Sequence, residues 1–221
     1  HISDGLEAYM TALLQSGREP EGGWLPGFDA GARLADPRNV TVEELAPLLQ
    51  RIVRQKAYHQ IAEGGEYRVY ASPELKGAVF KLASRVMANN LLAVHPVRLD
   101  PAESASIATE LMRDGRAVPF VRVPVTLPVE SLRTGRVGER PVEIIVQRAV
   151  VTVDRRWQTD KGDGDRMALI GRELAGFHKE LIGAGYLDAD LNHVKNVGYD
   201  GLGQAPKKLK LTDLGFVYRL P

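Results

Sequence analysis

The chain has 221 residues, enough for one large domain or two small lobes with separate cores. Its 44% hydrophobic and 26% charged residues are those of a globular protein rather than a disordered one, and a net charge of +1 argues against nucleic acid as the main partner. The absence of cysteine excludes disulfides, thiolate zinc sites and thiol nucleophiles, and no apolar run approaches the roughly 18 residues of a membrane span, so a soluble protein with no membrane partner is expected.

The chain begins at His1 rather than Met, with no signal-peptide pattern, which reads as a processed or recombinant fragment. In chain order, Leu6, Met10, Leu13 and Leu14 predict a helix over 4–15, followed by a turn-rich stretch over 17–39. Thr41 with Glu44 three residues on is a capping-box signature, and the helix it opens is expected to run to about His59. Residues 1–60 are therefore expected to be an N-terminal helical extension. Short β-rich runs follow at 66–71 and 78–82, joined by a Pro- and Gly-bearing hairpin turn. Asp100-Pro101 starts a helix through Ile107, Leu111 and Met112 that stops near Gly115. The apolar runs 119–127 and 142–153 read as paired strands around a Gly- and Arg-rich turn, completing a small twisted sheet with one helix. Met167, Ile170, Leu174, Phe177 and Leu181 predict a buried helix over 165–182 that ends at Gly183-Ala184-Gly185. Beyond it, 196–199 and 209–212 are strand candidates of a loose hairpin.

The C-terminal stretch concentrates the chemistry. Asp188-Ala189-Asp190-Leu191-Asn192-His193-Val194-Lys195-Asn196 precedes that hairpin, and Lys210-Leu211-Thr212-Asp213-Leu214-Gly215 follows it. Phosphoryl transfer requires a hard cation at the phosphates, and magnesium prefers carboxylate and amide oxygens with water, so Asp213 and Asn196 are sensible metal ligands. Asp190 would then face an incoming hydroxyl.

In these residues the chain resembles the protein-kinase superfamily, whose His-Arg-Asp catalytic loop and Asp-Phe-Gly magnesium motif follow a long helix in this order. Asp188-Ala189-Asp190 and Asp213-Leu214-Gly215 stand in their places. The resemblance implies that Asp190 orients or deprotonates the acceptor and that Asp213 chelates the magnesium bridging the phosphates. Asn196 lies six positions after Asp190 where the family's metal-binding Asn lies five after; either the loop carries one more residue or Asn192 substitutes, and Asn196 is favoured because a strand is expected to begin there.

The first half resembles the family too. Ile61 to Tyr70 is similar to the phosphate-covering hairpin, with Gly64 and Gly65 at its turn and Val69 where the family packs on adenine; only the middle glycine of the usual three is matched, by Gly64. Val79-Phe80-Lys81 resembles the ending of strand three, which implies that Lys81 contacts the α and β phosphates. Its helix carboxylate partner is Glu103 or Glu110, seven apart on one helix face, with Glu103 preferred on chain length. Ile145 to Ala149 falls where the family places its hinge, which implies adenine contacts at Gln147 and Ala149.

The resemblance covers Ile61 to Gly215, with six residues beyond it, and in that shortness the chain resembles the minimal kinases that some bacteria inject into host cells. It implies an α+β, two-lobed protein-kinase-like fold: an N-terminal helical extension over 1–60, an N-lobe over 61–153 and a reduced C-terminal lobe over 154–221. It implies ATP and Mg2+ as cofactors, a protein Ser/Thr acceptor that includes host proteins, and a location in the bacterial cytoplasm or a host cell. Ala189 replaces the Arg that reads a phosphorylated activation loop, so such control is not expected. Two other readings compete: a small-molecule phosphotransferase of aminoglycoside type, because Asn192 stands where Ser/Thr kinases often carry lysine, and a pseudokinase-type binding module, because the glycine loop is degenerate.

Taken singly, Asp213-Leu214-Gly215 would be a turn, Lys81 a solvated lysine at a strand end and Gly64-Gly65 an ordinary hairpin turn; their order and spacing raise them to a site. His178 and His193 are fifteen apart without a further histidine at ligand spacing, so zinc is not expected and His178 reads as a helix packing residue. Trp24 and Trp157 read as packing anchors. No Gly-x-Ser-x-Gly pattern supports an acyl-transfer hydrolase.

Overall fold

Alternation of apolar residues along 67–83 and 120–148 builds the first unit. The computed structural model describes residues 29–34, 36–63, 67–83, 101–130, 137–189, 193–200, 208–214 and 217–220, so the helix expected over 4–15, and Trp24, lie outside the described residues. The chain divides into two units, His1–Val94 with Pro119–Ala149 and His95–Val118 with Val150–Pro221. Both mix helix and strand, so the fold is α+β. No described helix is long and apolar enough to cross a membrane.

In the first unit, β1 (His59–Glu63), β2 (Tyr67–Ala71), β3 (Ala78–Ala83), β4 (Phe120–Glu130) and β5 (Val137–Arg148) form one antiparallel sheet in the order β1-β2-β3-β5-β4. Cross-strand register places Tyr70, Phe80, Val146 and Val121 in one row. With Ala78, Val123, Val125, Leu127 and Ile144, that row forms the core face. The period of two sends the intervening residues to the other face.

A helix covers the core face. After the short α1 (Ala30–Arg33), α2 (Val42–Gln55) begins at the expected capping box: the Glu44 amide donates to the Thr41 hydroxyl at 3.3 Å, and the Thr41 amide donates to the Glu44 carboxylate at 3.1 Å. Leu45, Leu49 and Ile52 lie on one face at helical spacing and enter the same core as Phe80 and Ile144. Pro47 lacks the amide that would bond the Glu43 carbonyl, but both residues are exposed, so water can satisfy that oxygen. The helix stops at Gln55, four residues short of the expected end, because Lys56 turns left-handed (φ 54°) and His59 already pairs with Ala71. Tyr58 packs edge-on against Tyr70 and Phe80, whose rings stack at 5.4 Å. The helix set apart by its sequence as part of an extension thus shares one core with the sheet.

The turn between β2 and β3 is as its Pro and Gly imply. Gly77 has φ +69°, and its backbone packs so closely on Gly31 that a Cβ on Gly31 would fall 2.4 Å from the Gly77 oxygen. Beside it the Gly31 amide donates to the Lys76 carbonyl at 2.9 Å. The β4–β5 hairpin is longer than expected, pairing from Phe120↔Gln147 to Glu130↔Val137. Edge strand β4 carries Pro124 and Pro128, which leave its outer side short of donors and blunt it against pairing with another chain.

The second unit contains α3 (Pro101–Arg113), β6 (Val151–Thr152), α4 (Val153–Thr159), α5 (Gly164–Gly183), β7 (Tyr186–Asp188), α6 (His193–Asn196), β8 (Val197–Asp200), β9 (Lys208–Leu211) and β10 (Val217–Arg219). Ile170, Phe177 and Leu181 of α5 meet Ile107, Leu111, Tyr186, Val197 and Leu211 in its core, with Leu174 and Trp157 packed at the margin. The buried helix expected over 165–182 is therefore present, and Trp157 is a packing residue. His178 is half-buried on α5 with Nδ1 3.0 Å from the Leu174 carbonyl, as a helix packing residue would be. β6-β8-β9 form one small antiparallel sheet and β7 pairs with β10 in another. The run read as one strand over 142–153 is two elements, since β5 ends at Arg148 and β6 belongs to a different sheet.

Phe80 is fully buried at the meeting point of helix and sheet. Phe80→Ala is expected to lower the unfolding free energy by about 3–5 kcal/mol, read as a fall in the urea midpoint; Thr41→Ala, which removes only the cap, should lower it by about 1 kcal/mol.

Candidate active site

Three candidate residues of the first unit, Val69, Lys81 and Gln147, lie on the sheet face opposite α2. Val69, Lys81, Ile145 and Arg122 are register partners in one row across β2, β3, β5 and β4. The next row holds Val79, Gln147 and Phe120. Lys81, on the third strand, is only 9% exposed and Gln147 only 4%. Lys81 is thus not the solvated strand-end lysine that its local sequence would allow. A buried ammonium persists only where hydrogen-bonding or anionic groups offset its lost water. Ala149 follows the end of β5, its amide donating to the Gly77 carbonyl at 2.9 Å. Three of the expected nucleotide contacts, Val69, Lys81 and Gln147, therefore share one face, with Ala149 at its border.

The metal-ligand candidates lie in the second unit, at one end of the β8–β9 pair. The Thr212 amide donates to the Asn196 carbonyl at 2.7 Å, and the Thr212 hydroxyl to the Lys195 carbonyl at 3.3 Å. Asn196 and Asp213, seventeen apart in sequence, are thereby held as neighbours. Asn196 ends the helical turn α6 and the strand begins at Val197, one residue later than the sequence implied. The chain before Asp213 is fixed on its other side as well: the Leu211 amide donates to Arg116 and its carbonyl accepts from Val118, each at 2.8 Å. Gly198 lets β8 lie close, since a Cβ there would fall 2.7 Å from Val150 and 3.1 Å from Thr212. Both Asn196 and Asp213 are half-buried.

The two glutamates of α3 differ sharply. One Glu110 oxygen accepts from Arg219 at 2.6 Å and from Ser106 at 3.3 Å; the other accepts from the Tyr186 hydroxyl at 2.6 Å. The Arg219 guanidinium and then the Tyr186 hydroxyl hold the Glu110 carboxyl down to about 2, while that carboxylate raises the Tyr186 hydroxyl above its ordinary value. Glu110 is a fastener between α3 and the β7–β10 pair. Glu103 is exposed in the first turn of α3, where a carboxylate also complements the helix N-terminus.

Asp190, the expected catalytic carboxylate, lies outside the described residues, as do Gly64, Gly65 and Asn192. Asp188 closes β7 opposite Val217 and is 6% exposed; its role was not legible in the sequence, where it stood only as the first residue of a motif. A second buried polar cluster also went unread: the Tyr199 hydroxyl donates to Glu173 at 2.7 Å beneath the Arg156 guanidinium, which lies 4.7 Å from the ring centre. Burial raises that hydroxyl's pKa well above its ordinary value. Among the described residues no three or more His, Asp or Glu side chains gather as a metal cluster. Magnesium held by one or two protein oxygens plus water and phosphate does not require one.

Compared with known proteins, the chain matches no protein-family model, and no curated protein is significantly similar to it.

Because the Glu110 carboxyl titrates lower in the folded state than its ordinary 4.5, its contribution to stability is complete above pH 4.5 and fades as pH falls toward 2. Glu110→Gln is expected to be less stable than the parent at pH 7, with the difference shrinking between pH 4.5 and 2. Urea unfolding of both proteins across that range reads it.

Proposed function

We propose that the chain is an ATP- and magnesium-dependent phosphotransferase with a protein-kinase-like fold and a protein Ser or Thr hydroxyl as acceptor. The observation that supports this reading best is the 2.7 Å bond from the Thr212 amide to the Asn196 backbone carbonyl, which brings the chain at Asn196 beside the residue before Asp213 across a short hairpin that follows a long helix. A buried lysine on the third strand of an antiparallel sheet supports it from the other unit. The donor set fits the expected group, since Asn196 and Asp213 offer hard oxygens suited to magnesium and no softer ligand stands beside them in sequence.

In this reading each residue has one task. Lys81 donates to phosphate oxygens and offsets their charge, and Val69 and Ile145 give the base an apolar surface. Asn196 and Asp213 hold the cation, whose chemistry when bound is to neutralise charge on the transferring phosphoryl group. Asp190 accepts the proton of the acceptor hydroxyl, which lies in line with the bond to be broken. Glu103 steadies the lysine. Gly64 and Gly65 let backbone amides approach the phosphates.

The test is incubation of purified protein with γ-labelled ATP, magnesium and a cell lysate. Label is expected in protein and should disappear with Lys81→Ala or Asp213→Ala. Asp190→Asn should lower transfer by about 10²–10⁴-fold while ATP still binds. Label in small molecules instead would favour the aminoglycoside-type reading, and ATP binding without transfer the binding-module reading. No ATP binding at all would end the proposal.

A further inference from the structure

Exposed apolar side chains are ordinary when scattered and informative when they gather. Six large ones are exposed among the described residues, and three of these, Ile182, Leu187 and Leu220, belong to the β7–β10 ribbon and the end of α5 that feeds it. Backbone bonds draw them together: the Gly185 amide donates to the Ile182 carbonyl at 2.9 Å, and the Leu220 amide donates to the Gly185 carbonyl at 2.8 Å. Leu187 pairs across from Tyr218, so Leu220, two residues further along, is its diagonal neighbour about 7–8 Å away.

The two faces of the ribbon are sorted. Tyr186, Asp188 and Val217 are buried, and Tyr186 and Arg219 bond to Glu110 of α3. The period of two turns Leu187, Tyr218 and Leu220 to the other face, where none of the three carries a charge.

This face begins beside the candidate metal ligands. The Val217 amide donates to the Leu214 carbonyl at 3.4 Å, which closes the turn after Asp213 and sets the Asp188–Val217 end of the ribbon next to it. Leu187 is three residues before Asp190, so their Cα atoms are at most roughly 11 Å apart by covalent reach alone. From Val217 to Leu220 the strand runs about 10 Å, the span of three residues of extended chain. An uncharged apolar strip thus leads away from the residues assigned to phosphoryl transfer, at a distance that a peptide crosses in three to five residues.

From this continuity we infer that the Leu187–Leu220 face docks the protein acceptor, taking an extended segment with apolar side chains three to five residues from the Ser or Thr that receives the phosphoryl group. The inference rests on the phosphotransferase reading above and adds the class of acceptor sequence. A charged flanking segment finds no partner on this face and leaves its leucines in water.

The test is a positional library of synthetic peptides with one central Ser or Thr, assayed with magnesium and γ-labelled ATP. Leu, Ile, Met or Phe at a position three to five residues from the acceptor is expected to raise kcat/KM about tenfold over Ser or Gln there, chiefly through KM. The exposed substitutions Leu187→Ser and Leu220→Ser should remove that preference. Leu169→Ser, which alters an exposed leucine thirteen residues before Ile182 on α5, should keep it. No apolar preference, a preference that survives both ribbon substitutions, or labelled lysate proteins without any labelled peptide overturns the inference and leaves the phosphotransferase reading standing. So does a dimer in sedimentation velocity that Leu187→Ser dissolves, which would assign the face to a second copy of the chain. If neither peptide nor lysate protein is labelled, both readings fall.

Discussion

Strand β3 carries adjacent residues with opposite requirements. Phe80 is stabilised by leaving water, and Lys81 must keep polar or charged company. Only the two-residue period of a strand can satisfy both one residue apart, by sending the ring into the core under α2 and the lysine to the far face. The rest of the first unit follows from that division. Tyr70 and Val146 flank Phe80 on one face, and Val69 and Ile145 flank Lys81 on the other. A slip of one residue in register would exchange the two faces, burying the ammonium beneath α2. The stacked and edge-on rings of Tyr58, Tyr70 and Phe80 hold the register that keeps the lysine where it is.

The second unit solves a different problem, which is to fix a short irregular segment without a large sheet around it. The residues before Asp213 are held from two directions, by Arg116 and Val118 through Leu211 and by Lys195 and Asn196 through Thr212. Backbone bonds dominate here, so the geometry depends little on which side chain stands at 195. Gly198 is the exception. Its missing Cβ lets Thr212 and Val150 come close, and a side chain there would push on the residue next to Asp213. Glu110 serves the same end further off, tying α3 to Arg219 and Tyr186.

Much of this was legible in the sequence because the signals are local. The capping box at Thr41, the apolar stripe of α5 and the Pro and Gly of the β2–β3 turn each act over a few residues and reappear in the structure. What the sequence hid is non-local. That α2 belongs to the sheet's core depends on Leu45 and Ile52 meeting Val123 and Ile144, some seventy or more positions away. The end of α2 was missed because Lys56 gives no sign of its left-handed turn, which glycine or asparagine would have advertised. Likewise, Glu103 and Glu110 share a helix face by spacing, and it is Tyr186 and Arg219, far along the chain, that distinguish them.

Glu110 also illustrates how a fold narrows chemical possibilities. A carboxylate held by a guanidinium and a phenol at 2.6 Å each is strongly stabilised as an anion, and drawing it toward another cation would first require breaking those bonds. Lys81 and Gln147 present the converse case. A polar group buried on a sheet face is a local violation of the pattern that stabilises the sheet, and apolar residues of similar size would serve packing better. Ser72 is buried too, but its turn accounts for it through two hydrogen bonds. Lys81 and Gln147 lie diagonally across β3 and β5 on the face away from α2, so each keeps its polar surroundings without entering the apolar core.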